Sequence, residues 1–312
     1  MAKTRTRTRQ KRQPVPSVEE RTWPPRWFGR VTWLAIAVVA AGGAFFYAKK
    51  QALAPTEQVT PPATGLPRTP DYHALLVSPT DARRIVLGTH AGLYESNDGG
   101  RSWRKGPLAG NDAMNLVRTR SGLLWAAGHN VLFSSADGGR TWTGVRPNGL
   151  PGLDLHGFAA DPRDGRTLYA AVAQEGLYRS SDGGNTFELV TDEVGGNVFG
   201  LAVTPTGRIL AADPKRGLRA SDDGGQTWKH VLPVSMVGVA VNRSQQRRVL
   251  ATGDGVYLSS DAGLTWRKVL SPPGGAGPVA WARSDPGVAY TVGFDVRLYR
   301  TADGGESWRP VG

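Results

Sequence analysis

From residue 71 to the end, one eight-residue pattern recurs six times, and its period limits the chain to a short list of folds. The pattern reads Ser/Thr-x-Asp-Gly/Ala-Gly-x-Thr/Ser-Trp/Phe. Its Asp and aromatic members are Asp98 with Trp103, Asp137 with Trp142, Asp182 with Phe187, Asp223 with Trp228, Asp261 with Trp266, and Asp303 with Trp308. The aromatic always follows the Asp by five positions, and successive Asp residues lie 39, 45, 41, 38 and 42 apart. A repeat of that length suits one four-stranded propeller blade.

Each copy reads as a hairpin turn. An Asp carboxylate accepts hydrogen bonds from the backbone N–H groups just after it. The glycines permit positive φ. The aromatic enters the next strand, where it can pack between neighbouring layers. Short apolar runs precede each box, such as Gly92-Leu93-Tyr94 and Gly176-Leu177-Tyr178, with two more runs further upstream. Each repeat therefore reads as strands A, B and C, the box as the C–D turn, then strand D. The 242 residues from Asp71 onward hold about 5.9 periods. Six blades fit, whereas seven would need roughly 285 residues at this period. The A strands are expected near 74–78, 115–118, 157–160, 200–203, 237–241 and 279–282, and residues 66–72 offer a closing strand. Forty-one Gly and 22 Pro suit many turns and argue against a helical bundle.

The 312 residues carry 38 Lys and Arg against 26 Asp and Glu, a formal +12. The excess is local. Residues 1–50 hold eleven basic and two acidic side chains, so the other 262 residues keep only +3. Between Arg30 and Lys49 lie eighteen uncharged, mostly apolar residues with aromatics at both ends. As a helix this stretch would be roughly 27 Å long, close to the ~30 Å hydrocarbon core of a bilayer. Nine basic residues precede it, which the positive-inside rule leaves in the cytoplasm. The expected organisation is a basic cytoplasmic tail (1–30), a transmembrane helix (31–48), a proline-rich linker (49–70) and an extracytoplasmic domain (71–312). A cleaved signal peptide ending near Ala54 is the competing reading. The near-neutral body gives no support to nucleic-acid binding.

The six boxes resemble the Asp-box (BNR) repeats of bacterial sialidases, sortilin-like receptors, xyloglucanases and the photosystem II assembly-factor family. The resemblance covers 71–312 and implies an all-β propeller of six blades, or seven as in most assembly factors, with the boxes as structural turns on the rim. It is weak for function, because one fold hosts many activities. In such a propeller the B–C and D–A loops gather at one mouth of the central channel. Here those loops supply His90, Asn130, Gln174, Glu175, Asp213, Lys215, Arg216, Asp254 and Asp295, together with Asn111, Asp112, Asp154, His156, Asp192 and Glu193.

A sialidase would need three arginines converging on a carboxylate and a Tyr nucleophile paired with a Glu. Tyr290 sits late enough in the chain, but no Glu in a neighbouring blade partners it, Arg219 and Arg297 are placed on C strands, and the family's Arg-Ile-Pro signature is missing. Asp154, Glu175 and Asp254 are the weak candidates for a catalytic carboxylate pair. The five histidines (73, 90, 129, 156 and 230) are scattered, without HxH or HExxH spacing, and there is no Cys. No metal and no cofactor is therefore expected. The leading expectation is a single-pass membrane protein whose propeller binds a protein or an envelope glycan outside the cytoplasm. The alternative is a glycoside hydrolase.

Overall fold

The computed structural model describes residues 65–312, all in turns and strands. The tail, the expected span and most of the linker lie outside the described residues. Among the described residues no helix is long and apolar enough to cross a membrane.

Twenty-four strands form six four-stranded antiparallel sheets, each from four consecutive strands. Blade 1 contains β1 (Ala74–Val77), β2 (Ile85–Thr89), β3 (Gly92–Ser96) and β4 (Arg104–Lys105). Blade 2 contains β5 (Asn115–Arg118), β6 (Leu124–Gly128), β7 (Val131–Ser135) and β8 (Thr143–Gly144). Blade 3 contains β9 (Leu155–Ala160), β10 (Leu168–Val172), β11 (Gly176–Ser180) and β12 (Glu188–Thr191). Blade 4 contains β13 (Gly200–Val203), β14 (Ile209–Asp213), β15 (Gly217–Ser221) and β16 (Lys229–Leu232). Blade 5 contains β17 (Met236–Val241), β18 (Val249–Gly253), β19 (Val256–Ser259) and β20 (Arg267–Leu270). Blade 6 contains β21 (Ala276–Trp281), β22 (Ala289–Gly293), β23 (Leu298–Thr301) and β24 (Arg309–Pro310).

The six-bladed expectation holds, and the A strands fall where the repeat placed them. Each A strand contacts the A strands of both neighbouring blades, and β1 meets β21. Those contacts close the ring. The closing strand expected at residues 66–72 is not one: this segment has no strand pairing. Leu66 is instead buried in the core between blades 6 and 1, and the Tyr72 hydroxyl donates to the Pro67 carbonyl at 2.8 Å. Side-chain packing between the first and last blades replaces a shared sheet.

The core is six inter-blade layers. Strand B is sandwiched between neighbouring blades, so β6, β10, β14, β18 and β22 are buried at all five positions. This explains continuous runs such as Leu168–Val172, where a half-exposed strand would alternate. Each box aromatic packs into the layer shared with the preceding blade, as Phe187 does against Trp125 and Phe158, and Trp308 against the layer between blades 5 and 6.

The box itself is a closed hydrogen-bond unit. In the first copy the Ser96 hydroxyl donates to Asp98 Oδ1 at 2.8 Å and accepts from the Gly100 N–H at 2.8 Å. Asp98 also accepts the N–H groups of Arg101 and Ser102 at 2.9 Å. Trp103 Nε1 donates to the Gly100 carbonyl at 3.1 Å. The Asp98 pKa falls to about 2, chiefly through the side-chain hydrogen bond from Ser102.

The two glycines of the box are not equivalent. At the first, a Cβ would meet nothing at Gly138, Gly183 or Gly224, and the fifth box places Ala262 there at φ 63°. At the second, a Cβ on Gly100 would lie 2.0 Å from Leu298, and one on Gly184 2.9 Å from Trp125. Close blade-to-blade approach bars a side chain at Gly100, Gly184 and Gly225, and positive φ favours Gly at the second position of all six boxes. The short D strands end the sheets with exposed, mostly basic residues such as Arg104, Lys105, Lys229, Arg267 and Arg309, which discourage edge-to-edge pairing.

Candidate functional site

The loops at the D–A and B–C ends meet around the channel mouth. In blades 1 to 3 they build an alternating arc of four histidines and three aspartates. Asp71 and His73 precede β1, His90 follows β2, Asp112 precedes β5, His129 follows β6, and Asp154 and His156 open blade 3. Asp71 lies between His73, at 3.2 Å, and His90, in close contact. Asp112 Oδ2 lies between His90 Nε2, at 3.1 Å, and His129 Nδ1. Asp154 Oδ1 lies between His129 Nε2, at 3.6 Å, and His156 Nε2, at 3.3 Å. The rings run in contact, with centroid separations of 4.4 Å (His73–His90), 5.8 Å (His90–His129) and 5.0 Å (His129–His156), and His156 stacks on Phe199 at 5.2 Å. Burial pulls His73 and His156 below the usual imidazole range, against the opposing pull of Asp71 and Asp154.

The expectation that the histidines are scattered is therefore corrected. Local ligand spacing finds sites made by one helix or hairpin. A propeller instead brings equivalent loop positions of successive blades together, so ligands sit tens of residues apart. His230 alone stays outside, on β16, contacting the Arg216 carbonyl at 3.0 Å. Sequence reasoning named His90, Asp112, Asp154 and His156 as mouth residues but missed Asp71, His73 and His129. A signal was present. Asp-x-His leads into strand A in both blade 1 (Asp71-Tyr72-His73, before β1) and blade 3 (Asp154-Leu155-His156, where β9 begins at Leu155), and a His follows strand B in both blade 1 and blade 2.

The other expected mouth residues hold their own loops. Asp213 accepts the N–H groups of Lys215 and Arg216 at 2.8 and 3.1 Å and lies 3.8 Å from buried Arg219. Arg216 donates to the Glu193 carbonyl at 3.1 Å. Asp254 accepts from Tyr257 at 3.0 Å and Lys268 at 2.9 Å. Asp295 accepts the Tyr299 hydroxyl at 2.7 Å, which helps push that phenol up to about 12, burial being the larger cause. Asn130 and Gln174 take left-handed turn conformations at φ 59° and 63°. Asn111 bonds the Leu108 and Ala109 carbonyls. Glu175 stands in the turn before β11 and Asp192 in the turn after β12.

Beside the arc, the channel-facing part of the mouth is apolar. A cavity of about 330 Å³ is lined by Pro70, Tyr72, Met114, Phe199, Val237 and Phe294, and it shares Asp71 and His73 with the arc. Phe294 is 54% exposed.

Two sialidase-directed readings change. Tyr290 is 1% exposed within the blade 6–blade 1 layer and so is a core residue, not a mouth nucleophile. Arg297 lies in the turn before β23, 3.9 Å from Asp295, and not on a C strand. Three arginines do approach one another, but at the opposite, A–B end of the channel. Arg118, Arg243 and Arg283 line one cavity there, and burial, followed by mutual repulsion, lowers the pKa of Arg118 and Arg243.

Comparison with known proteins follows the fold. A curated xyloglucanase from a Paenibacillus species is 25% identical over 298 residues, covering 76% of this chain but only 26% of the xyloglucanase, so the chain spans about a quarter of that relative. The solved GH74 xyloglucanase from Xanthomonas campestris superposes with a TM-score of 0.56 at 20% identity, over 80% of this chain and 46% of that one. YCF48 bound to a D1 peptide superposes with a TM-score of 0.51 at 18% identity, over 79% of this chain and 82% of that one. At these identities the solved structures show a shared fold. The sequence model of the photosynthesis system II assembly factor YCF48 matches residues 74–310, and the chain therefore belongs to that family.

Proposed function

We propose that this protein is a membrane-anchored binding platform. Residues 31–48 would hold it in the cytoplasmic membrane with the N-terminus inside, and the propeller mouth would dock an extended segment of a protein partner outside the cytoplasm. The observation that carries this reading is the amphipathic mouth. An apolar cavity with exposed Phe294 adjoins a polar His–Asp arc, and such a surface suits a peptide with an apolar anchor and polar flanks. The peptide held by the solved YCF48 relative supports a protein partner.

A glycoside hydrolase is the second reading, favoured by the xyloglucanase relatives. It needs two carboxyl groups able to act as acid and base or nucleophile. Asp254 and Asp295 are each held by side chains of their own blade, and Asp112 by His129.

A photo-crosslinking residue at position 294, in the full chain in native membranes, tests the proposal. Position 264 is the control, because Leu264 is equally exposed, at 60%, but lies in the fifth box on the rim. The expected result is one defined protein adduct from 294 and none from 264. Equal labelling from both positions would contradict the proposal, and so would xyloglucan hydrolysis abolished by Asp154→Asn. Protease added to spheroplasts is expected to digest the propeller while the basic tail survives.

A further inference from the structure

We infer that His129, Asp154 and His156 form a binding site for one divalent transition-metal ion such as Zn²⁺. The inference stands on these side chains alone and does not depend on what the mouth docks.

Three potential ligand atoms converge. His129 Nε2 and His156 Nε2 are 3.1 Å apart, and Asp154 Oδ1 lies 3.6 and 3.3 Å from them. Zinc takes His nitrogen and carboxylate oxygen at about 2.0–2.2 Å in tetrahedral sites. The edge of such a tetrahedron is 1.63 times the bond length, or about 3.3 to 3.6 Å. The three observed separations fall close to that edge. Two imidazoles and a carboxylate, with a fourth position left for water or a ligand, is also a donor set suited to borderline ions.

Hydrogen bonding alone leaves this cluster incomplete. His129 Nδ1 contacts Asp112 Oδ2. If it carries the proton there, a lone pair remains on His129 Nε2. His156 can then offer one Nε2–H to two acceptors, His129 Nε2 and Asp154 Oδ1, and cannot serve both. Asp154 Oδ1 is a buried atom with no hydrogen-bond partner; His156 Nδ1 has none either, and an ion on Nε2 does not supply it one. A cation between the three atoms satisfies both Nε2 lone pairs and the carboxylate together.

The surroundings fit the same role. Ligating histidines usually donate their second ring nitrogen to a carboxylate, which fixes the tautomer and the ring. Asp112, 9% exposed, stands in that place for His129. It is a positioning residue. Phe199 stacks on His156 at 5.2 Å and holds its plane. The two other His–Asp groups are less regular. Around Asp71, His90 presses into close contact with the carboxylate, and around Asp112 the His129 ring meets the oxygen through Nδ1 at 2.5 Å, a hydrogen-bond contact.

The test is Co²⁺ and Zn²⁺ titration of the full, tag-free chain in detergent. Visible Co²⁺ absorption reports coordination number, and equilibrium dialysis reports stoichiometry. One Co²⁺ per chain with strong tetrahedral-type bands, displaced by Zn²⁺, is expected. His129→Ala and His156→Ala should each lose the bands and weaken binding at least ~100-fold, while His230→Ala binds as the unaltered chain does. Asp112→Asn should keep one ion per chain but bind it ~10–100-fold more weakly, with a shifted spectrum. No saturable binding by the unaltered chain overturns the inference, and that measurement needs no variant to fold. Binding that survives in both His129→Ala and His156→Ala also overturns it.

Discussion

The two halves of the mouth sit on the same backbone and differ in chemistry. Strand register aligns the residues before each A strand. Asp71, Asp112 and Asp154 in blades 1 to 3 correspond to Asn197 in blade 4 and Ser235 in blade 5. Two positions on, His73, Met114 and His156 correspond to Phe199 and Val237. Directly after strand B, His90 and His129 correspond to Pro214, Asp254 and Phe294 in blades 4 to 6. The boxes, by contrast, repeat nearly unchanged through all six blades. Sequence symmetry marks what builds the ring, and it breaks down at the mouth.

That contrast gives expected outcomes that differ in size. The largest belongs to the rim. Phe187→Ala, at a side chain 2% exposed between blades 2 and 3, should cost about 3–5 kcal/mol in denaturant unfolding. An equal cost for truncating exposed Phe294 would break the division between rim and mouth.

Next come the paired glycines of one box. Gly183→Ala forces a left-handed alanine into open space, as Ala262 already does, and should cost about 1 kcal/mol. Gly184→Ala adds a collision with Trp125 and should cost about 2–4 kcal/mol. Equal thermal shifts for the two variants would contradict the close-approach argument.

Acid should act on the rim before the mouth is considered. Asp98 and Asp303 are held at about 2 in the fold, mainly by the hydroxyls of Ser102 and Ser307, against ~3.9 in an unfolded chain. A depressed carboxylate pKa stabilises above the unfolded value and loses that contribution as pH falls through the folded one. Stability should therefore fall between about pH 4 and pH 2, and Asp98→Asn should be less stable at pH 7 with a shallower acid decline. Parallel pH curves for the variant and the unaltered chain would count against the box as a stabilising unit.

The smallest effect belongs to the mouth. Glu175→Gln should shift unfolding by no more than about 0.5 kcal/mol.

The repeated features were legible in the sequence because each is local. The box needs only its own eight residues, so its turn, its aromatic and the blade count could be read from spacing. The arc was not legible as a cluster. Its seven side chains come from three blades and span residues 71 to 156, and their convergence depends on how far each loop reaches over the channel. Ring closure escaped for a related reason. Packing of Leu66 into the last layer leaves no periodic trace in residues 66–72. Tyr290 matches a sialidase nucleophile only in its place along the chain, and the B strand carries it into the core.

The most direct test of functional asymmetry in the ring is a crystal structure of the full chain with Zn²⁺, measured on both sides of the zinc absorption edge. The expected result is one strong anomalous peak about 2.0–2.2 Å from both Nε2 atoms of His129 and His156 and from a carboxylate oxygen of Asp154. A peak only in the mouth of blades 4 to 6, only at the rim boxes, or none at all would contradict it.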